Sequence, residues 1–123
     1  MTYEEIFQAV KEELMKSDVS SLTQHLAIQV DIIGEGEGAF YIELKDSNLY
    51  VEPYEYYDHH VKLIVTGNDF LKIVDGSLNP VKAYTIGKLK IEGDLGKALE
   101  IQKIIESIKK NEKAARKAAK KKD

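Results

Sequence analysis

The first residues whose types and spacing could do chemistry are three consecutive side chains, Asp58, His59 and His60. Carboxylate and imidazole groups are common zinc ligands, so a metal centre is the first hypothesis to weigh. Adjacent residues on an extended chain point to opposite faces, so His59 and His60 do not readily bind one ion. The only other histidine is His25, which is distant in the sequence. The pattern therefore predicts no metal site.

Two further patterns could serve acid–base catalysis or phosphate binding. Glu52, Glu55 and Asp58 could form an acid–base set, but their polar surroundings favour a solvated loop, where no buried carboxylate is implied. Segment 34–38 reads Gly-Glu-Gly-Glu-Gly, and its two carboxylates would repel phosphate, so we interpret it as a hairpin turn. The chain has no cysteine, which excludes a thiol nucleophile and a thiolate metal site. We therefore expect a protein that is not an enzyme and needs no cofactor.

The composition describes one globular domain. The 123 residues suit a single domain, and 43% hydrophobic with 32% charged residues is unlike a disordered chain. The absence of cysteine fits a reducing cytoplasm, which is the compartment we expect. The first residues lack the basic and apolar regions of a secretory signal, and no apolar stretch approaches the roughly 18 residues that span a bilayer.

The charge is unevenly distributed along the chain. From Lys109 to Asp123 there are eight Lys or Arg and two Asp or Glu, a net charge of +6, whereas residues 1–108 carry −9. An acidic body argues against nucleic acid as a partner, since phosphate contacts need clustered basic residues. We interpret the tail as a solvated helix end, and docking to an anionic membrane through Lys109–Lys122 is the second hypothesis.

The first half of the chain predicts one helix followed by three strands. The helix has apolar residues at helical spacing, and Thr2 with Glu5 forms a capping-box pattern at its start. Segments 26–32, 40–44 and 49–51 then alternate between apolar and polar residues, which is typical of strands with one buried face. Short turns at 34–38 and 46–48 join them, so they are predicted to form an antiparallel meander.

The second half predicts short helices between two further strands. A strand at 61–65 is followed by a short helix capped by Asn68 or Asp69. Asn79 and Pro80 have the pattern of a cap and a first helical residue for the next helix. Residues 88–92 form the fifth strand, and one long helix is predicted from Asp94, with its packed part ending near Lys109.

One stretch has a distinctive order of residues. Segment 68–84 reads Asn-Asp-Phe-Leu-Lys-Ile-Val-Asp-Gly-Ser-Leu-Asn-Pro-Val-Lys-Ala-Tyr, and segment 87–94 reads Gly-Lys-Leu-Lys-Ile-Glu-Gly-Asp, with Ala98 and Leu99 behind it. This order resembles the sterol carrier protein type 2 domain family. The resemblance is contiguous over residues 69–99 and extends more weakly over most of residues 1–108.

The resemblance implies an α+β fold, in which helices cover one face of a five-stranded mixed sheet. It also implies an apolar tunnel between sheet and helices that binds fatty acids, fatty acyl-CoA or sterol-like lipids. Residues 1–108 would form this lipid-binding domain, and residues 109–123 a basic Ala/Lys-rich helical tail. The chain ends Lys-Lys-Asp rather than in the address of the family's peroxisomal members, so peroxisomal import is not expected.

The candidate ligand-binding residues come from the two short helices and the last helix. They are Phe70, Val74, Leu78, Val81, Tyr84, Ile86, Leu99, Gln102 and Ile105. Tyr84 and Gln102 would orient a polar head group. The alternative for each residue is ordinary core packing, in which case the domain would be an interaction or accessory module with a filled core. Tyr50, Tyr54, Tyr56 and Tyr57 either pack at the sheet edge or form a docking surface.

Overall fold

Five strands and five helices make up the structure, which is a computed structural model. It describes the backbone of residues 1–121 and the side chains of residues 1–111. In chain order the elements are α1 (Tyr3–Leu14), β1 (Leu26–Ile33), β2 (Gly38–Lys45), β3 (Asn48–Glu52), β4 (Val61–Thr66), α2 (Gly67–Val74), α3 (Pro80–Thr85), β5 (Leu89–Gly93), α4 (Leu95–Leu99) and α5 (Ile101–Lys121).

The strands form one mixed sheet with the order β3-β2-β1-β4-β5. Strands β1, β2 and β3 are antiparallel neighbours, β4 runs parallel to β1, and β5 returns antiparallel to β4. The predicted meander and the five-stranded mixed sheet are confirmed. Because β3 and β4 lie on opposite sides of β2 and β1, the segment between them must cross the sheet.

The inner face of the sheet forms the core with the helices. Alternate strand residues such as Ile28, Phe40 and Leu63 are at most 1% exposed. Phe40 contacts Phe7 of α1 and Phe70 of α2, with ring centroids 5.6 and 5.9 Å apart. The alternation that predicted one apolar face therefore places that face against α1, α2 and α5.

Helix α1 begins as the sequence predicts. The Thr2 side chain accepts from the Glu5 backbone N–H, and the Glu5 carboxylate accepts from the Thr2 N–H. These two bonds satisfy N–H groups that have no partner inside the helix. The Tyr3 hydroxyl donates to the Ala39 carbonyl at 2.6 Å, which fastens α1 to the end of β2 nearest the hairpin.

Two sequence predictions about helix ends are wrong. Helix α2 is capped by Thr66, whose hydroxyl accepts from the Asp69 N–H, and not by Asn68 or Asp69. The long helix predicted from Asp94 is two helices: Asp94 caps α4, which ends at Leu99, and α5 begins at Ile101. Helix α4 packs on β4 and β5, whereas α5 packs on α1, so the two helices have different packing partners.

The end of the packed part of α5 lies close to the predicted position. Ile108 is 2% exposed, and Lys109, Lys110 and Asn111 are exposed. Asn111 still donates to the Lys16 carbonyl at 2.9 Å. The division into a domain of residues 1–108 and a tail of residues 109–123 stays a prediction, because residues 112–123 have no described side chains. Within the described residues, none of the helices combines the length and apolar character needed to cross a membrane.

Candidate functional site

Helix α3 is the centre of the predicted site, and its orientation is unexpected. Only Pro80 and Ala83 of this helix are buried. The larger apolar residues around them point outward, with exposed fractions of 44% for Val81, 44% for Tyr84 and 53% for Ile86. Helix α3 is therefore attached to the body through small side chains.

Local sequence explains where α3 begins and ends. The Asn79 side chain accepts from the backbone N–H groups of Val81 and Lys82, and Pro80 occupies the first turn, where it loses no hydrogen bond. The helix ends at Thr85, and Gly87 then turns the chain with φ of +81°. The Lys88 N–H donates to the Ala83 carbonyl at 2.9 Å, which fixes the turn into β5.

The other predicted site residues divide between the core and its margin. Phe70, Val74 and Ile105 are 0%, 1% and 5% exposed and belong to the packed core. Leu78, Leu99 and Gln102 are half-buried. The nine residues therefore do not line one common space, and Leu99 lies on α4, which packs on β4 and β5.

Openings lie at both ends of α3. A cleft of about 140 Å³ at its start is lined by Leu78 and Pro80 on one side and by Gln102 and Ile105 of α5 on the other. A wider, shallow groove of about 700 Å³ at its end lies along the edge strand β5 and is lined by Tyr84, Leu89 and Ile91, among others. Known ligand pockets occupy roughly 300–1,000 Å³, and of these two openings the groove reaches that size. A polar pocket of about 430 Å³ between the α1–β1 loop and α5 also reaches it, but none of the predicted site residues lines that pocket.

The groove includes residues that were absent from the sequence-predicted set. Ile64 of β4 lines it with Lys90 and Glu92 of β5. Ile64 lies on the outer face of the sheet, between the polar residues Lys62 and Thr66. The sequence did contain a signal for this groove, because Ile64 is an apolar residue on the polar face of the predicted strand.

The outer face of the sheet carries a network of polar side chains, which includes residues of the segment 53–60 between β3 and β4. The Tyr56 N–H donates to the side chain of Gln29, which is 6% exposed. Glu43 Oε2 accepts from His25 Nε2 at 2.8 Å and from the Tyr56 hydroxyl at 2.9 Å. Burial, the largest single cause, would raise the pKa of Glu43, but these two hydrogen bonds and the nearby charges of His25 and Lys45 together hold that pKa below its usual value. The Glu43 carboxylate raises the pKa of Tyr56 in return.

His60, the residue before β4, joins this network through a ring contact with His25. Its Nδ1 accepts a hydrogen bond at 3.0 Å from the backbone N–H of Ala27, which is fully buried, and its ring meets that of His25 at 4.9 Å. Burial lowers the pKa of His60, and the nearby Lys97 and His25 lower it further, against the weaker opposite effects of Asp94 and Glu43. His60 is thus held neutral so that Nδ1 can accept.

This arrangement predicts a pH dependence of stability. Because the folded-state pKa of His60 lies below 6.5, its stabilisation is complete above that pH and is lost as the pH falls through the folded value. We expect a lower free energy of unfolding in urea at about pH 5.5 than at about pH 7.5. His60→Ala should cost about 1–3 kcal/mol, because the Ala27 N–H loses its acceptor.

His60→Asn is the matched control for this prediction, since the amide oxygen can accept from Ala27 without titrating. It should keep more of the stability than His60→Ala and flatten the profile near pH 6. The contribution of Glu43 lies in a separate window, lost only below 4.5. An unchanged profile in His60→Asn would show that another group causes the dependence.

The remaining chemical patterns serve the fold or are exposed. Among residues 1–111, no three His, Asp or Glu side chains approach closely enough to hold a metal ion. Segment 34–38 forms the β1–β2 turn, where Glu35 pairs with the N-terminal ammonium at 2.9 Å. Four tyrosines were candidates for a docking surface. Tyr56 packs edge-on against Tyr41, and the other three are exposed: Tyr50, Tyr54 and Tyr57.

The fold defines a class of small α+β domains, in which helices cover the inner face of a five-stranded mixed sheet. The model of the SCP-2 sterol transfer family matches residues 4–106, and this chain belongs to that family. The human hydroxysteroid dehydrogenase-like protein 2 is 34% identical over 108 residues, which are 85% of this chain and 25% of that protein. The chain thus spans about a quarter of the length of the curated relatives it matches.

Solved structures show the same fold at lower identity. The apo form of sterol carrier protein 2 from Yarrowia lipolytica superposes with a TM-score of 0.60 at 20% identity, covering 84% of this chain and 88% of that one. The palmitated SCP2L2 of Aedes aegypti has a TM-score of 0.62 at 20% identity, covering 85% and 95%. These similarities confirm the fold that the sequence predicted.

Proposed function

We propose that this domain binds an apolar molecule between α3 and the rest of the fold and carries it without chemical change. The ligand class is a fatty acid, a fatty acyl-CoA or a sterol-like lipid. The observation that carries the proposal is the seating of α3 on Pro80 and Ala83 alone, with Val81, Tyr84 and Ile86 exposed beside an open groove.

The energies favour displacement of α3 by such a ligand. Lifting α3 would expose the Ala83 methyl group, the Pro80 ring and the apolar surface that they cover, at a cost of about 4–6 kcal/mol on the scale of buried carbon groups. Transfer of a 16-carbon chain from water offers roughly 12 kcal/mol before ordering costs. Because burial of the ligand releases more free energy than displacement of the helix costs, apolar contact alone can drive the displacement.

The two openings at the ends of α3 suggest the course of the ligand. An acyl chain that passed beneath α3 would join the cleft at Leu78 and Gln102 to the groove at Tyr84. Gln102 at the cleft would then meet its polar end, as expected from the sequence, whereas Tyr84 would lie beside the opposite end of the chain. Ile105 and Ile73 are buried residues that line the cleft and would form its floor, and Phe70 and Val74 would join them only if α3 moved.

The comparisons support a lipid of this kind. The matching family is described by sterol transfer, and the related Aedes aegypti protein is described as palmitated. The curated relatives are named as dehydrogenase-like proteins. They are about four times as long as the segment that matches this chain, so the name describes a much longer protein. We therefore propose a carrier domain and not a catalyst. The groups with shifted pKa around Glu43 lie on the outer face of the sheet, away from α3.

Binding by the unaltered protein is the first test. Native mass spectrometry of gently purified protein should show a mass increment in the lipid range, and a fluorescent fatty acid should titrate with micromolar affinity. Recovery of the apo mass alone, together with no change in probe fluorescence, would contradict the proposal.

A charge placed at Gln102 tests the location of the ligand. Gln102→Glu adds a carboxylate at the cleft with little change of shape, so fatty-acid affinity should fall roughly tenfold through repulsion in a partly desolvated site. A fatty alcohol of the same length should bind with nearly unchanged affinity. Gln8→Glu makes the same change on the exposed face of α1 and is the matched control. Equal effects of both variants would place the carboxylate end elsewhere.

The alternative is an interaction module with a filled core. The burial of Phe70 and Val74 favours it, since neither side chain faces an open space in this conformation. It predicts no lipid in native mass spectrometry and no saturable probe binding. A cytoplasmic location and anionic-membrane contact through Lys109–Lys122 remain hypotheses beside either function.

A further inference from the structure

The end of α3 and its turn into β5 form an exposed surface of unusual composition, which we call the α3 patch. Its apolar members are Val81, Tyr84 and Ile86, each at least 44% exposed. Gly87 in the turn is open to solvent, since nothing lies within 4 Å of the position where a Cβ of that residue would be, and with Tyr84 it borders the groove along β5.

The charge of the α3 patch is opposite to that of the surrounding body. Segment 76–91 contains Lys82, Lys88 and Lys90, all exposed, and no Asp or Glu, although residues 1–108 carry −9 overall. The one ion pair within the patch joins Lys88 to Asp69 at 4.0 Å, with the lysine side chain 50% exposed. Such an exposed pair is weak, so Lys88 stays available to a partner.

These observations point to an anionic lipid bilayer, and we propose that the α3 patch docks on one. Lysine is depleted at the centre of protein–protein interfaces, which argues against a protein partner. At a bilayer surface, lysine stems lie along apolar material while their ammonium groups reach lipid phosphates, and tyrosine sits at head-group depth. Ile86, which is 53% exposed, then enters the boundary between head groups and acyl chains.

Docking through the α3 patch is separate from ligand binding, although it presents the proposed opening to the bilayer. A domain can bind a free fatty acid without touching a membrane, and it can dock without containing a ligand. The test therefore uses vesicles and protein with no added fatty acid. Failure of docking leaves solution binding standing, and failure of solution binding leaves docking standing.

A single fluorescent label locates the contact. The chain has no cysteine, so Ile86→Cys can carry one NBD group on the 123-residue chain. With phosphatidylcholine vesicles containing about 30% phosphatidylserine, we expect a blue shift and a severalfold rise in emission, and little change without phosphatidylserine. Tyr57→Cys carries the control label at a position 88% exposed on the outer face. Sedimentation with vesicles while the label at residue 86 stays in water would overturn the proposal.

A second pair of variants separates the α3 patch from general charge. Lys82→Gln with Lys88→Gln and Lys90→Gln should lower the vesicle partition coefficient by at least about tenfold, since each cation near the surface contributes severalfold. The matched control replaces the same number of lysines elsewhere: Lys45→Gln, Lys62→Gln and Lys103→Gln. Its expected loss is about twofold. Equal losses in the two triple variants would assign docking to net charge or to the basic tail. That result would overturn the proposal that the α3 patch contacts the bilayer.

Discussion

Phe40→Ala should lower the free energy of unfolding by about 3–5 kcal/mol. Phe40 is completely buried on β2 and contacts Phe7 of α1 and Phe70 of α2. Truncation removes its buried area and leaves a cavity where two helices meet the sheet, which can collapse only if both helices move. A small domain has a total stability of about 5–15 kcal/mol, so this variant should be close to its folding limit at room temperature.

Urea unfolding followed by far-UV circular dichroism measures this loss, because the chain has no tryptophan for fluorescence. Tyr57→Ala is the control, since Tyr57 is 88% exposed and its removal should change stability by no more than about 0.5 kcal/mol. A loss below about 1 kcal/mol for Phe40→Ala would mean that this aromatic contact does not join the helices to the sheet.

The sequence predicts the strands well because burial imposes a period of two on them. Leu26, Ile28 and Val30 alternate with smaller or polar residues, and a shift of one residue would turn every one of them outward. The same constraint fixes Phe40 opposite Val30 in β2. Parallel pairing of β1 with β4 leaves no comparable pattern in the sequence, and only the family resemblance implied a mixed sheet.

Helix ends are harder to predict because several residues compete for one role. Thr66, Asn68 and Asp69 are all good caps, and the end of β4 decides in favour of Thr66. The apolar pattern continues across Glu100, so periodicity alone predicts one helix from Asp94. The two halves pack on different partners, and contacts distant in the sequence produce the break between α4 and α5.

The orientation of α3 shows the limit of sequence reasoning about the candidate site. Pro80 and Ala83 are three residues apart and define one face, and Val81 and Tyr84 are also three residues apart and define the next. Hydrophobic size favours burial of the second pair, yet the structure buries the first. A six-residue helix has too few positions for periodicity to choose, so the exposure of Val81 and Tyr84 could not be predicted.

This orientation connects the two proposals to one element. The buried face of α3 consists of the small residues Pro80 and Ala83, so the helix is easy to displace. Its exposed face carries Val81 and Tyr84, which can contact lipid. If Val81 and Tyr84 were the buried pair, α3 would be harder to displace and its exposed face would offer less apolar surface to lipid. The proposals therefore make different demands on α3, and variants at Gln102 and at Lys82 address them separately.

Gly93→Ala should be the second most destabilising change, at about 2–4 kcal/mol. Gly93 ends β5 with φ of +105°, a conformation that side chains rarely adopt. An added Cβ would lie 2.6 Å from the His60 carbonyl oxygen and 3.2 Å from Val61 Cα. Both neighbours are backbone atoms of the adjacent strand, so the clash cannot be relieved by a side-chain rotation.

Relief of that clash would separate β5 from the start of β4. The Asp94 N–H donates to the same His60 carbonyl at 3.2 Å, and Asp94 in turn caps α4, so both bonds should weaken together. Gly87→Ala is the matched control: Gly87 has φ of +81° but open space around it, so only backbone strain of about 1–2 kcal/mol applies. Urea unfolding of both variants isolates the clash as their difference. Equal losses would show that backbone strain alone explains the glycine and that the β4–β5 junction tolerates a methyl group.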